Sequence, residues 1–320
     1  MPVGLGKLIG NRELPAALTS RLCARPSLRL SPNWRLGSTE GVYGPLYRLR
    51  LYAWLHAQSP FSIPWLAGTR LLIPDMDEHT KSIFLTGQYE PNQFAFLDQN
   101  LHGGMVFVDV GANLGLYSLF ASKKVSDSGT VLALEPSSRE YERLRRNISY
   151  NGLANVRTLQ IAASDHAGEA ELLIAEAGHA GHNTLGDFGY DARLLHKERV
   201  GLQRLDTLAE NEKLSRVDII KMDVEGAELF ALRGAQETIA KYRPILMLEL
   251  SDRTLRLQGC NSREIWELLT GWGYKLFEYD GNSGLPVSAA FKEYFDGENI
   301  IAVHANDPRL TKPNGQGAKN

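Results

Sequence analysis

The segment from Val106 to Ser118 constrains the fold of this chain more than any other. It opens as an apolar, β-branched run, passes through a turn that contains Gly111 and Gly115, and continues in a helical pattern of apolar residues. A buried strand that turns directly into a helix is the ligand-binding corner of a doubly wound α/β fold. Gly111 permits a turn that a side chain would obstruct, and Gly115 permits close packing of the helix on the sheet. Asp109, at the end of the strand, supplies a negative charge that suits a cationic or hydroxyl-bearing ligand.

The chain around this corner alternates between strand-like and helix-like segments. Strands are predicted over residues 105–110, 130–135, 155–161, 217–222, 244–250, 274–279 and 299–304, and helices over 114–124, 138–151, 225–233, 236–242 and 262–271. This alternation predicts parallel strands with helices on both faces of the sheet. The last two strands are expected to pair antiparallel at the sheet edge. Residues 167–205 interrupt the alternation with strands over 169–175 and 200–205 around a Gly-, His- and Asn-rich loop, which we interpret as a flap over a substrate site.

Glu135 ends the second predicted strand, where a carboxylate accepts both hydroxyls of an adenosine ribose. NAD and S-adenosylmethionine (SAM) both need such an acid, so Glu135 does not separate an oxidoreductase from a methyltransferase. The dinucleotide fingerprint has three glycines, and Asn113 replaces the middle one. This replacement weighs against NAD.

Several short motifs follow one another along the chain. They are Asp-Val-Gly-Ala-Asn-Leu-Gly at 109–115, Glu-Pro at 135–136, Ala-Ser-Asp at 163–165, Asn-Thr-Leu at 183–185, Leu-Asp-Thr-Leu at 205–208 and Lys-Met-Asp-Val-Glu-Gly-Ala-Glu at 221–228. Gly-Gln-Tyr-Glu-Pro at 87–91 and Glu-Asn-Ile-Ile-Ala-Val-His at 298–304 flank them. In this order the motifs resemble the FkbM family of SAM-dependent methyltransferases. The resemblance implies a Rossmann-like class I methyltransferase fold with a seven-stranded, mostly parallel sheet, SAM as the cofactor, and O-methylation of a hydroxyl on a sugar, glycan or secondary metabolite.

The predicted cofactor residues combine strand ends with positions that match the family. Asp165 follows the third strand, and its match to the family favours a contact with the adenine amino group over a turn cap. Tyr89 and Glu90 would fold over the cofactor, which the resemblance alone implies. The predicted set is Asp109, Gly111, Asn113, Gly115, Glu135, Ser164, Asp165, Tyr89 and Glu90.

The predicted catalytic residues lie near the end of the fourth strand. Asp223 follows that strand, where the ligand crevice of an open α/β sheet lies, and Lys221 shares its face of the strand. A lysine in such an apolar run must be paired, with Asp223 or Glu249 as its candidate partner. The functional interpretation is a charged cluster that orients and deprotonates a substrate hydroxyl, and the alternative is a structural ion pair. The candidate catalytic set is Asp223, Lys221, Glu225 and His182, the last because its reference pKa of about 6.5 suits a general base.

Other functions remain open on the sequence alone. An NAD-binding Rossmann oxidoreductase and a non-catalytic binding module could use the same fold. His179 and His182 are three residues apart, but no third ligand is signalled, so no metal is predicted. No aromatic and basic motif indicates nucleic-acid binding.

The charge distribution sets the first 70 residues apart from the rest. They hold nine Lys or Arg and two Glu, a balance of +7, whereas the whole chain carries −2 and the remainder therefore −9. We interpret residues 1–70 as a basic extension, partly irregular with a short helix near 46–56. It is either a solvated arm or a segment that docks to an anionic partner, such as a membrane surface, or to the acidic remainder of the chain. Residues 71–306 would form the methyltransferase domain and 307–320 a disordered tail.

Two cysteines indicate a reducing compartment, and no run approaches the ~20 apolar residues of a membrane span. We therefore expect a cytoplasmic protein that acts on a small-molecule or glycan acceptor.

Overall fold

The computed structural model of the protein describes residues 45–57, 59–73, 78–176, 181–189 and 192–308. The irregular arm predicted at 1–40, the histidine at 179 and the tail beyond residue 308 lie outside these ranges. None of the helices within the ranges is long and apolar enough to cross a bilayer.

The central sheet has eight strands. They are β3 (Val106–Val110), β4 (Thr130–Leu134), β5 (Val156–Leu159), β9 (Ile219–Met222), β10 (Ile245–Ser251), β11 (Tyr274–Tyr279), β12 (Pro286–Ser288) and β13 (Asp296–His304). Their order across the sheet is β12-β11-β13-β10-β9-β3-β4-β5. The pairings from β5 to β10 are parallel, and β13 pairs antiparallel with both β10 and β11. The mostly parallel sheet of a doubly wound fold is therefore confirmed.

The predicted count of seven strands is wrong by one. Pro286–Ser288 adds an antiparallel edge strand to β11, so the predicted antiparallel pair β11 and β13 forms but does not end the sheet. A three-residue strand that begins with proline carries no alternation by which the sequence could reveal it.

Helices cover both faces of this sheet. One face packs against α1 (Pro45–Leu55), α2 (Glu78–Thr86), α3 (Pro91–Asn100) and α4 (Leu116–Val125). The other packs against α6 (Leu205–Asn211), α7 (Glu228–Arg233), α8 (Gln236–Tyr242), α9 (Asp252–Leu255) and α10 (Ser262–Gly271), while α5 (Ser138–Tyr150) packs along β2 (Arg70–Ile73) and β5. A short hairpin of β1 (Phe61–Pro64) and β2 links α1 to the rest.

The order in which the strands join the sheet reverses at β3. From β3 the chain builds outward through β4 and β5, and then returns to add β9 on the other side of β3. In an open α/β sheet such a switch point leaves a crevice at the carboxyl ends of the strands. The fold therefore places a ligand site at the ends of β3, β4 and β9.

The interruption at 167–205 forms a small sheet of its own. It contains β6 (Ala162–Ala163), β7 (Gly168–Ala175) and β8 (Leu194–Gln203), with β8 in the middle. The strand predicted over 200–205 is wrong at both ends, because β8 begins at Leu194 and Leu205 already belongs to α6. The first four residues of β8 are exposed, and two leucines precede a histidine and a lysine there, so this half lacks the apolar alternation that marks a half-buried strand.

Candidate active site

A cavity of about 460 Å³ lies at the carboxyl ends of β3, β4, β9 and β10. Its volume falls in the range of about 300–1,000 Å³ that is usual for ligand sites. Nine of the predicted site residues line it, namely Tyr89, Glu90, Gly111, Asn113, Glu135, His182, Lys221, Asp223 and Glu225. The other four do not: Asp109, Gly115, Ser164 and Asp165.

The turn after β3 brings two strand ends into contact. Gly111 has a φ of 81°, and a Cβ atom built on it would lie 2.0 Å from the carbonyl oxygen of Asp223. Only glycine fits where the backbones of β3 and β9 approach so closely. The backbone N–H groups of Gly111 and Ala112 both donate to the carbonyl of Leu134, which fixes the turn to β4 as well.

Gly115 has a different structural role. A Cβ atom on it would lie 2.7 Å from the Cδ1 atom of Leu144 in α5. Gly115 is absent from the cavity lining and packs on helix α5 rather than on the sheet as predicted, and its predicted contact with the cofactor remains a prediction.

Glu135 fastens the turn from the end of β4. One carboxylate oxygen accepts from the backbone N–H of Asn113 at 2.8 Å, and the other from that of Ser137 at 2.9 Å. Burial raises the pKa of Glu135 to about 8, although the two N–H donors act in the opposite direction. Each carboxylate oxygen has two lone pairs, so one on each remains for the hydroxyl of a ligand.

Asp109 lies beneath the cavity rather than in its wall. The side chain is buried and accepts from the Ser118 hydroxyl at 2.6 Å. Burial raises the pKa of Asp109, and the positive charge of Lys221 lowers it. Asp109 therefore acts on the cavity through the charge of Lys221, and its predicted contact with the cofactor remains a prediction.

Lys221 is paired as the sequence requires. Its side chain is 6% exposed, its Nζ atom lies 2.9 Å from the Asp223 carboxylate, and it also lies 4.5 Å from the centre of the Tyr117 ring. Burial alone would lower the pKa of Lys221, but the carboxylates around it, Asp223 first, outweigh burial and raise this pKa. Of the two candidate partners, Asp223 and not Glu249 forms the ion pair.

Tyr89 and Glu90, which precede α3, line the cavity together with Tyr117. The Tyr117 hydroxyl donates to the Glu90 carboxylate, and Glu90 has a left-handed φ of 38°. Burial raises the pKa of Glu90, whereas Lys221 lowers it. Sequence reasoning missed Tyr117. The available signal was its position in the first turn of the helix that follows the Gly-rich turn.

Two contacts join the flap to Glu225, which follows β9. The Nδ1 atom of His182 lies 3.5 Å from the Glu225 carboxylate, and the Thr184 hydroxyl donates to the Glu225 carbonyl at 3.0 Å. The contact with Glu225 raises the pKa of His182, although burial lowers it. Glu225 itself has a left-handed φ of 51°, so it cannot belong to a helix. Helix α7 therefore begins at Glu228 and not at residue 225 as predicted.

Glu249, at the end of β10, is a further cavity residue that the predicted catalytic set omits. Burial raises its pKa to about 10, and the negative charges of Asp223 and Glu225 contribute to the rise. A polar residue near the end of an otherwise apolar strand was the signal for it. Among the described residues that line the cavity, six carry carboxyl groups and one is a lysine, so the cavity suits a cationic ligand.

Ser164 and Asp165 follow β6, whose two alanines line the cavity. The Asp165 carboxylate lies 2.6 Å from the His166 ring, and this contact lowers the pKa of Asp165. Its side chain is partly exposed outside the cavity, so the predicted contact with adenine remains a prediction.

The part of the chain that forms this cavity is similar to known proteins. A family model with the description "Methyltransferase FkbM domain" matches residues 109–276. Methyltransferase sdnD of Sordaria araneosa is 33% identical over 166 residues, which cover 43% of this chain and 63% of that protein. Methyltransferase 1 of Beauveria bassiana strain ARSEF 2860 is 29% identical over 160 residues, which cover 45% of this chain and 64% of that protein. The chain thus spans less than two thirds of either relative.

A solved structure shows a weaker similarity. The FkbM methyltransferase of Methylobacillus flagellatus KT aligns with 18% identity and a TM-score of 0.41, over 69% of this chain and 52% of the other. A similarity of this size supports no inference about function.

Proposed function

The chain belongs to the FkbM family of SAM-dependent methyltransferases, and on this premise we propose that it methylates a hydroxyl of a sugar, glycan or secondary metabolite. The observation that carries the proposal is the position of Asp223. Its carboxylate lines the same cavity as the turn at 111–113 and Glu135, and it is held by a buried lysine at 2.9 Å. An ionised carboxylate beside a cofactor site is suited to orient a hydroxyl and to accept its proton.

The charge of the cavity lining suits SAM. When bound, SAM supplies an electrophilic methyl group on a positively charged sulfur. The carboxyl-rich lining favours that charge over an anionic pyrophosphate. Glu135 would accept from the ribose hydroxyls through its remaining lone pairs, Asn113 would contact the cofactor from the turn, and Tyr89 and Glu90 would cover it.

Lys221, Asp223 and His182 have separate roles in proton transfer. Lys221 fixes the direction of the Asp223 carboxylate through their ion pair. Asp223 would then accept the proton as the O–H bond of the acceptor breaks. His182, whose pKa is raised by Glu225, is the alternative base on the flap side.

Calorimetry with SAM, S-adenosylhomocysteine and NAD tests the cofactor. We expect the first two to bind and NAD to bind at least about a hundredfold more weakly, or about 2.7 kcal/mol. NAD that bound more tightly than SAM would contradict the proposal.

A second measurement determines whether the methyl group is transferred to oxygen or to nitrogen. SAM with an isotope-labelled methyl group should be incubated with the protein and pools of hydroxylated and amino compounds, and the products examined by NMR. The proposal expects labelled methyl ethers. Labelled N-methyl products alone would reassign the acceptor atom.

A further inference from the structure

A row of polar side chains crosses the central sheet on the face that α1 to α4 cover. The register of β9 and β10 ends at Met222 with Leu248, and Asp223 and Glu249 are the next residues of the two segments. Glu249 pairs with Asn299 of β13, and the register of β11 and β13 ends at Glu278 with Ile300, one residue before Tyr279 and Asn299 meet. This row, Asp223, Glu249, Asn299 and Tyr279, begins in the active-site cavity and leads away from the cofactor turn.

A second cavity of about 400 Å³ lies at the far end of the row. Asn299 and Tyr279 line it, and it shares Tyr89 and Glu90 with the active-site cavity. The side chain of Asn299 is close enough to Glu90 to lower the pKa of that carboxyl group, against the larger effect of burial. The two cavities therefore meet at a common wall beside Glu249.

The second cavity contains unused hydrogen-bonding capacity. The side-chain oxygen of Gln88 and the hydroxyl of Tyr279 are buried and have no hydrogen-bond partner among the described residues. Both residues line the cavity. A buried polar atom without a partner costs about 1–3 kcal/mol. A ligand that supplied one hydroxyl to each atom, after a rotation of the two side chains toward the cavity, would recover this free energy.

Both acids that only the second cavity has contact one cation. Lys292 binds Glu278 at 3.0 Å and Glu298 at 3.3 Å, and these are the acids of the lining that the active-site cavity does not share. The buried groups without a partner among the described residues are an amide oxygen and a phenol, which match neutral hydroxyls. Tyr89 and Pro91 add apolar surface.

We propose that the second cavity is the acceptor subsite and that it binds a neutral, hydroxyl-bearing ring. The polar row then leads from this ring to Asp223, where the reacting hydroxyl would lie. Tyr279 donates to one ring oxygen and Gln88 accepts from one ring hydroxyl. The inference rests on the proposed function, since it assumes that the first cavity holds the cofactor.

Binding of small rings to the complex with S-adenosylhomocysteine tests the subsite. The probes are methyl glucoside as a neutral saccharide, inositol as a neutral ring that is not a saccharide, and glucuronate and glucosamine as charged counterparts. We expect at least one neutral probe to bind in an NMR titration, with the charged probes about tenfold weaker or more. Binding of the glucoside assigns the ring to a saccharide, and binding of inositol alone assigns it to another hydroxylated compound. Tighter binding of a charged probe, or no binding of either neutral probe, overturns the proposal.

Two single-group variants locate the binding. Tyr279→Phe and Gln88→Met each remove one hydrogen-bonding group and should weaken the neutral probe about two- to tenfold. Their melting temperatures should stay unchanged or rise, because each variant removes a buried group that has no partner among the described residues. Tyr294→Phe is the matched control on an exposed tyrosine outside both cavities.

The outcomes separate this inference from the proposed function. If S-adenosylhomocysteine does not bind the unaltered protein, the proposed function fails. If it binds normally while probe affinity is the same in the Tyr279 and Tyr294 variants, only the subsite is wrong.

Discussion

Asp223 and Glu249 are neighbouring carboxyl groups with opposite electrostatic surroundings. Asp223 has the ammonium group of Lys221 at 2.9 Å, whereas Glu249 faces further carboxylates and has a pKa raised to about 10. Two acids whose surroundings separate their pKa values can serve one as a base and one as a proton-bearing group. The ion pair with Lys221 supports Asp223 as the base, whereas burial and the neighbouring carboxylates favour the protonated form of Glu249.

Asp223→Asn should slow methyl transfer much more than it weakens cofactor binding. The substitution keeps the size of the side chain and removes the proton-accepting charge, so turnover should fall by about 10²- to 10⁴-fold. Lys221 retains the charges of Asp109 and Glu90, so the fold should survive. SAM affinity, measured by calorimetry, should change by less than about tenfold.

His182→Ala is the companion measurement at saturating SAM. Collapse of turnover in this variant with near-normal turnover in Asp223→Asn would move the base to the flap. A parallel collapse of SAM binding in Asp223→Asn would make Asp223 a cofactor residue.

Glu135→Gln should weaken SAM without unfolding the protein. Both carboxylate oxygens hold backbone N–H groups of the turn, and the amide retains one acceptor oxygen. We expect calorimetry to show an affinity lower by about tenfold or more, because the amide nitrogen of glutamine cannot accept from a ribose hydroxyl or from a backbone N–H of the turn. Unchanged affinity would remove Glu135 from the site.

Glu249→Gln should reduce the loss of stability at high pH. The usual pKa of a glutamate, 4.5, describes the unfolded chain, whereas burial raises the pKa of Glu249 in the folded protein to about 10. Between these values the folded state keeps a proton that the unfolded state has lost, so the free energy of unfolding falls as pH rises. Without cofactor, the unaltered protein should lose on the order of 2–4 kcal/mol more than the variant between about pH 6 and pH 9.

Denaturant unfolding at both pH values checks this, with Glu267→Gln at an exposed position as the control. Equal losses in the unaltered protein and Glu249→Gln would show that Glu249 titrates normally.

At the scale of single residues, the sequence predicted which polar residues end a strand better than it predicted how deeply each of them is buried. Asp223 and Glu135 could be predicted because a polar residue that ends an apolar strand lies at the crevice. Asp109 follows the same pattern but is only 1% exposed. Whether such a residue lines a cavity or supports it from below depends on the packing of distant segments, which no local pattern records.

At the scale of elements, long periodic segments were predicted and short or polar ones were not. Helices α5, α8 and α10 lie within one residue of their predicted bounds. The hairpin strand β1 and the edge strand β12 have four and three residues, too few to show a period, and each contains proline. These strands form because neighbouring strands offer them hydrogen bonds, which is a tertiary effect.

The turn between β3 and α4 should tolerate no side chain at its first residue. Gly111→Ala would place a Cβ atom 2.0 Å from the Asp223 carbonyl, so β3 and β9 would have to separate. We expect a loss of several kcal/mol in unfolding free energy and of measurable SAM binding. Thermal melts and calorimetry check both.

Gly152→Ala separates steric overlap from backbone strain. Gly152 also has a positive φ, 62°, but no atom lies within 4 Å of the point that the added methyl group would occupy, so only about 1–2 kcal/mol should be lost. Similar losses in the two variants would contradict the contact between the strands.

At the scale of the whole molecule, the N-terminal helix belongs to the core. Trp54 of α1 is buried against Phe61 and Phe84, and the Arg50 guanidinium donates to the Leu85 carbonyl at 3.1 Å. The helix therefore packs on the same core as α2, α3 and α4. The role of the basic residues before it remains a prediction.

Two truncations should therefore behave differently. A chain that starts at residue 41 keeps α1 and should melt cooperatively and bind SAM. A chain that starts at residue 59 loses the Trp54 contacts, and we expect its midpoint to fall by roughly 6–12 °C, as for about 3 kcal/mol in a domain of this size. Loss of a cooperative melt in the longer chain would show that residues before 41 contribute to the core.

The small sheet has a geometry that protein engineers can use. β6 pairs with the end of β8 through Ala162 with Leu202 and Ala163 with Gln203, so the inserted segment leaves and re-enters the domain at adjacent points. A segment with adjacent ends can be transplanted as one cassette, because its replacement does not alter the distance that the flanking chain must span. Exchange of residues 164–203 between relatives should thus remodel the flap side of the active-site cavity while the Gly-rich turn and Glu135 stay in place.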